Sequence, residues 1–220
     1  MSIVHHLDDD VLLEYATGTL AEGWSIAVAT HLALCPHCRE RYELMELTGG
    51  ALLDTLEPVP ASPDSWTALM ARLQDETGAQ PAAATPAVPP NGGQPVLPEP
   101  LRSYVGSDVD GIAWKSLPGA AQFLIPTSDG ETMVRLLRIP AGKPVPEHTH
   151  RGREFTLVLS GAFSDGEDVF RRGDIEVADS SLMHTPVATP DADCICLAVT
   201  DAPLKFKSWM VRMVQPMLGI

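Results

Sequence analysis

Three side chains able to ligate a metal fall within seven residues of one another. His148, His150 and Glu154 sit inside the run Gly142-x5-His148-x-His150-x3-Glu154-x6-Gly161. On a β-strand, residues two apart point to the same face, so the two imidazoles are presented together. Glu154 keeps that parity and can join them unless a turn at Arg151–Gly152 intervenes. The flanking glycines bracket a segment in which the chain must bend sharply. The alternative is a set of surface histidines on an ordinary β-domain, which the completeness of the spacing opposes.

A different donor set lies near the N-terminus, in His31-x3-Cys35-x2-Cys38. Residues four apart share a helix face, so His31 and Cys35 are neighbours. Pro36 suits the first position of a new helix, which puts Cys35 at its N-cap and Cys38 in its first turn. The positive end of that helix favours a thiolate. Imidazole and thiolate together suit zinc, and a fourth ligand closes a tetrahedral structural site. His5 and His6 are both upstream and either can supply it. Two other readings of the cysteines are a redox dithiol, which the lack of a surrounding βαβ pattern weighs against, and a plain buried pair.

The run from Gly142 to Gly161 resembles the first motif of the cupin family at every position. That family completes its site with a histidine from a second motif. Here Gly173-x5-Asp179-x-Ser181-x2-His184 has the right length, with Asp179, Ser181 and Ala188 replacing the usual Pro, Gly and Asn. The resemblance implies a jelly-roll barrel whose ligands are His148, His150, Glu154 and His184. Three histidines and a glutamate suit zinc, iron, manganese, nickel or copper. Residues 1 to about 76 resemble the zinc-binding anti-sigma domains, and the combination with a cupin is similar to the ChrR type of anti-sigma factor. That resemblance implies His6, His31, Cys35 and Cys38 as ligands of an N-terminal zinc, and two zinc ions per chain.

The elements that must carry these groups read as follows. Residues 8–17 form a short helix capped by Asp8 and ended by Gly18, and 21–34 form a second. A third runs from Pro36 to about Leu56, with Tyr42, Met45, Leu52 and Leu56 continuing the face of Cys38 and Gly49–Gly50 able to kink or end it. A fourth starts at Ser62–Pro63, and Trp66, Leu69, Met70 and Leu73 make one apolar stripe along it. The stripe suits either packing within its own domain or docking into a partner's groove. Residues 77–100 hold seven prolines and no Lys, Arg or aromatic residue, the composition of a semi-extended linker. From 101 onward the pattern is strand-like, with β-rich runs at 132–139, 155–159, 193–200 and 206–214. Cys194 and Cys196 share one strand face and read as core residues. The chain is therefore α+β and multidomain: a helical zinc-binding domain over 1–76, a linker over 77–100, and an all-β cupin domain over 101–220.

The net charge of −14 argues against nucleic acid as a direct partner. Residues 1–76 hold 3 Lys/Arg against 13 Asp/Glu, so the helical part is the acidic one and suits a basic partner. No apolar run is long enough to span a membrane, no basic n-region marks a signal peptide, and the few cysteines fit a reducing compartment. These features lead to an expectation of a cytoplasmic protein. By resemblance, the function expected is sequestration of an extracytoplasmic-function sigma factor, one to one, with release on singlet oxygen or organic hydroperoxide sensed by the cupin. The rival class is an enzyme, a cupin-type metal-dependent dioxygenase or isomerase, although nothing in the sequence names a substrate or a separate general base.

Overall fold

The computed structural model describes residues 2–76, 95–149, 151–202 and 205–206. Most of the expected linker, 77–94, and the last strand-like run beyond Phe206 lie outside the described residues. Three helices open the chain: α1 (Asp9–Ala16), α2 (Glu22–Leu34) and α3 (Pro36–Leu53). A fourth, α4 (Ser65–Glu76), starts two residues later than the Ser62–Pro63 start signal suggests. Asp8 makes no side-chain cap bond, so its contribution to α1 is limited to charge beside the positive end. Gly49–Gly50 lies inside α3 without ending it.

The remainder is antiparallel sheet. Six strands run in the order β1 (Lys115–Leu117), β2 (Ala120–Ile125), β3 (Met133–Ile139), β11 (Cys194–Thr200), β5 (Glu154–Ser160) and β8 (Ile175–Ala178). Opposite lie two three-stranded sheets. One is β10 (Val187–Ala188), β6 (Ala162–Asp165) and β7 (Asp168–Arg171); the other is β12 (Lys205–Phe206), β4 (His148–Thr149) and β9 (Met183–His184). The three sheets do not join into one closed ladder among the described residues. The motif glycines Gly142 and Gly161 both have φ near +70°, a left-handed backbone that a side chain resists. A Cβ at Gly161 would also lie 2.3 Å from the Asp193 carbonyl oxygen.

The six-stranded sheet is covered on both faces, and its alternation shows by what. Val134, Leu136, Phe155, Leu157, Leu197 and Val199 belong to a core shared with Leu12, Trp24 and Val28 of the helices. The alternate residues, among them Ile139, Val158, Cys194 and Cys196, form a second core with Phe163 and Phe170 of the opposing sheet. Such two-sided burial explains why β5 and β11 read as nearly continuous apolar runs. The rings of Trp24 and Phe155 meet at 4.7 Å between centroids. Gly23 lets α2 come down on the sheet, since a Cβ there would lie 2.1 Å from Thr132 Oγ1. The helical and β parts are thus one packed body here, and the freedom that a linker would allow is held by an interface.

Two further devices tie the halves together. Residues 95–100, expected as linker, instead pack down. Leu97 is fully buried, α5 (Glu99–Val105) begins there, and the Arg172 guanidinium donates to the carbonyls of Pro95 and Val96. Asp174, in the turn before β8, accepts from the backbone N–H groups of Val4 at 2.8 Å and His5 at 3.0 Å, while its second oxygen takes Arg171 N–H. Burial pushes the Asp174 pKa up, but these N–H donors outweigh it and hold the carboxyl below the ordinary aspartate value. A depressed folded pKa means that the stabilisation is complete above the unfolded value of about 3.9 and is lost as pH falls through the lower folded value. Asp174→Asn is therefore expected to lower stability at pH 7 by about 1–3 kcal/mol, with the gap to wild type closing in acid. Urea unfolding at pH 7 and below pH 4 measures this, and a gap independent of pH would contradict it.

Candidate metal centres

The segment before α1, helix α2 and the start of α3 bring together a donor set of His6, His31, Cys35 and Cys38, whose ligand atoms all lie within 4.8 Å of one another. Cys35 caps α3, its sulfur accepting from the Cys38 backbone N–H, with Pro36 in the first helical position. The Sγ atoms of Cys35 and Cys38 lie 3.3 and 3.7 Å from His6 Nδ1. Zinc bonded to nitrogen at ~2.0–2.1 Å and to sulfur at ~2.3 Å has donor–donor edges of roughly 3.3–3.8 Å, so these two distances fit edges of a tetrahedral site. Arg41 of α3 steadies the approach of the N-terminal segment by donating to Leu7 O at 2.9 Å and to Asp9.

The protonation chemistry of this cluster also fits a cation. His31 is fully buried, and neither ring nitrogen has a hydrogen-bond partner. Burial brings its pKa down to about 4, a fall that the nearby Gly173 backbone opposes only in part. A neutral imidazole with its lone pair unused is what a metal ion requires and is costly to bury otherwise. Burial and the neighbouring Cys35 push the Cys38 thiol up to about 11. The helix N-terminus favours a thiolate, and the charge of a bound ion would favour ionisation further. His5, the alternative to His6, is turned away: its ring lies 3.5 Å from the Asp174 carboxylate and 4.2 Å, centroid to centroid, from Phe170. His37 stands beside His6 without belonging to the four-residue donor group.

The second centre lies between the sheets. Strands β4 and β9 pair His148 directly with His184. Their Nε2 atoms are 3.1 Å apart. His148 Nδ1 is 2.8 Å from the Pro146 carbonyl, which only accepts, and His184 Nδ1 is 2.7 Å from the Asp165 carboxylate. The partners at Nδ1 turn the two Nε2 atoms towards each other, a pair placed to share a cation, and carboxylate-tethered imidazole is the usual support for a metal ligand. Glu154 opens β5 on the same face, buried, and lines the same cavity as His148. His150 lies outside the described residues.

Sequence reasoning missed two groups here. Asp165 and Glu176 gather with His184 so that their donor atoms lie within 4.8 Å of one another. Burial, then the adjacent Asp165, pushes the Glu176 carboxyl up to about 8. Only strand parity on β8 hinted at Glu176, and nothing local marked Asp165, which the β6–β7 hairpin delivers. The departures at Asp179 and Ser181 also find their reason. Asp179 Oδ1 accepts from Ser181 N–H at 2.8 Å and Ser181 Oγ at 2.6 Å, a side-chain turn that does the work of the missing Pro and Gly.

Comparison with known proteins adds three findings. The family model described as the ChrR cupin-like domain matches residues 103–203. The anti-sigma-E factor ChrR of Cereibacter sphaeroides is 47% identical over 220 residues, covering 100% of both chains. A crystal structure of Rhodobacter sphaeroides SigE in complex with the anti-sigma ChrR contains a chain 45% identical to this one, covering 91% of this chain and 100% of that chain, with a TM-score of 0.77. The donor set of the helical site leads to a direct expectation: His31→Ala reduces bound metal by one ion per chain and leaves the second centre loaded. Elemental analysis of the purified variant measures it, and an unchanged metal count would contradict the assignment.

Proposed function

This chain belongs to the family of the anti-sigma factor ChrR, and from that premise we propose that it binds an extracytoplasmic-function sigma factor one to one and withholds it from RNA polymerase. The helical part makes the contact, as a regulator and not as a dioxygenase or isomerase. His6, His31, Cys35 and Cys38 hold a zinc that keeps α1–α3 folded, and His148, His150, Glu154 and His184 hold a second zinc in the cupin. Oxidation by singlet oxygen or an organic hydroperoxide at the cupin loosens the shared core and releases the partner. The protein works in the cytoplasm, where polymerase is; no helix among the described residues is long and apolar enough to cross a membrane.

One observation carries the reading. Trp66, Leu69, Met70 and Leu73 of α4 are all exposed, Trp66 to 69%. Leu44, Leu47, Leu52 and Leu53 of the outer half of α3 are exposed as well, so the face expected to continue from Cys38 is covered only through Met45. Apolar surface of this extent on an acidic helical domain suits a partner with an apolar groove and a basic rim. The sigma partner of the homologous complex supports the same assignment. The exposed leucines have no packing role here, which favours the docking use of the stripe over packing within its own domain.

Trp66→Ala combined with Leu69→Asp is expected to weaken capture of the sigma factor about 30-fold or more, since exposed aromatic anchors dominate such interfaces. Melting and metal content should stay those of the wild type, because neither side chain is buried. A pull-down with the purified sigma factor and an in vitro transcription assay read the two quantities. Undiminished inhibition by the variant would remove α4 from the interface. In the same assay, a folded His148→Ala complex that still lets go of the sigma factor under oxidant would remove the cupin metal from sensing.

A further inference from the structure

The apolar stripe of α4 holds a sulfur atom. Trp66 stands one turn before Met70 and Leu73 one turn after it, so the thioether lies in the middle of the stripe. Residues 65–75 are all exposed, Met70 to 37%. Among the described residues of the helical part, Met70 carries the only exposed sulfur. Cys35 and Cys38 are buried, and Met45 is half-buried against the core. An oxidant in solution meets Met70 at the surface, whereas the thiols of the helical metal site are shielded.

The thioether differs in chemistry from the leucines and tryptophan beside it. It is apolar and adapts to irregular grooves, yet a single added oxygen makes it polar and chiral. An organic hydroperoxide delivers that oxygen in one step. The sulfur lone pair attacks the terminal peroxide oxygen and an S–O bond forms. The O–O bond breaks, and the departing alkoxide takes up the peroxide proton and leaves as an alcohol. Sulfur is oxidised by two electrons and the peroxide is reduced by two. A sulfoxide oxygen needs water or another hydrogen-bond donor, which an apolar groove does not supply.

We propose that Met70 is an oxidation site that closes the docking face: once the sigma factor has left, a hydroperoxide converts Met70 to its sulfoxide, and the free chain no longer recaptures the partner. The inference rests on the reading of α4 as the sigma-docking helix. In the intact complex the partner covers the thioether, so oxidation of Met70 follows release and does not cause it. The modification involves neither metal centre. It prolongs the released state until a methionine sulfoxide reductase removes the oxygen.

The metal-loaded full-length chain, purified without sigma factor and treated with tert-butyl hydroperoxide, tests this. After the oxidant is removed, half of the sample is incubated with methionine sulfoxide reductases of both stereospecificities. Sigma capture is then titrated in each half, and peptide mass mapping locates the added oxygen. Untreated oxidised wild type should bind about tenfold or more weakly than its reductase-treated half, the loss expected when one buried apolar anchor turns polar. In Met70→Leu, which has no sulfur at that position, the two halves should bind alike whatever their affinity, because the reductases reverse no damage at the cupin metal. Equal capture by the two wild-type halves with Met70 oxidised, or a reductase-sensitive loss that persists in Met70→Leu, would overturn the proposal. So would a Met70 that stays unoxidised while Met183, exposed on β9, is converted. If Met70→Leu does not fold, the two wild-type halves decide alone. Failure of the α4 reading itself is distinguishable: the Trp66→Ala, Leu69→Asp chain would then capture the sigma factor undiminished, whereas failure of this inference alone leaves that chain defective.

Discussion

Helix α2 has almost no solvent face, and the architecture follows from covering it. From Glu22 to Leu32 no residue is exposed. A helix apolar all round is stable only when it is packed on every side. One side lies on the six-stranded sheet through Trp24 and Gly23, and the other meets α1 and α3. The same helix carries His31 inward to the cysteines. A single element therefore belongs to the metal site and to the core of the β-domain. Disturbance of the sheet reaches the helical donor set through direct packing, with no need for a long chain of intermediates.

The N-terminal segment repeats this coupling at the level of hydrogen bonds. His6 reaches Cys35 and Cys38 while the residues just before it, Val4 and His5, are fixed by Asp174. Asp174 precedes β8, and two residues further on Glu176 faces His184. One short strand thus has the backbone anchor of the helical site at its start and a neighbour of the second centre within it. Such a body has two charge-dependent sites and two apolar cores that share one sheet, and it suits a device in which chemistry at one place changes what is held at another.

Much of this was legible in the sequence where the signals were local. Pro36 after Cys35 places a helix start that the structure reproduces at the same residues. Strands β3, β5 and β11 begin and end within one residue of the β-rich runs that foretold them. The spacing of His31, Cys35 and Cys38 told of a shared cluster, and the choice of His6 over His5 waited on the position of Asp174. What stayed hidden depends on distant contacts. Continuous apolar runs in β5 and β11 do not say what covers each face, so the shared core was not foreseen. Leu97 sits among prolines, where composition argues for a linker, and only its place in the core shared by the helices and the sheet explains its burial. Asp165 joins His184 through a hairpin partner, a relation that no spacing along the chain encodes.

The central claim is that two bound cations and one sigma factor belong to a single cooperative body. Native mass spectrometry of the complex purified under reducing conditions addresses it most directly. The account predicts one chain, one sigma factor and two metal ions in the intact particle, with the sigma factor leaving when the helical metal is stripped by a chelator. A particle that holds its sigma factor fully while carrying no metal at all would contradict it.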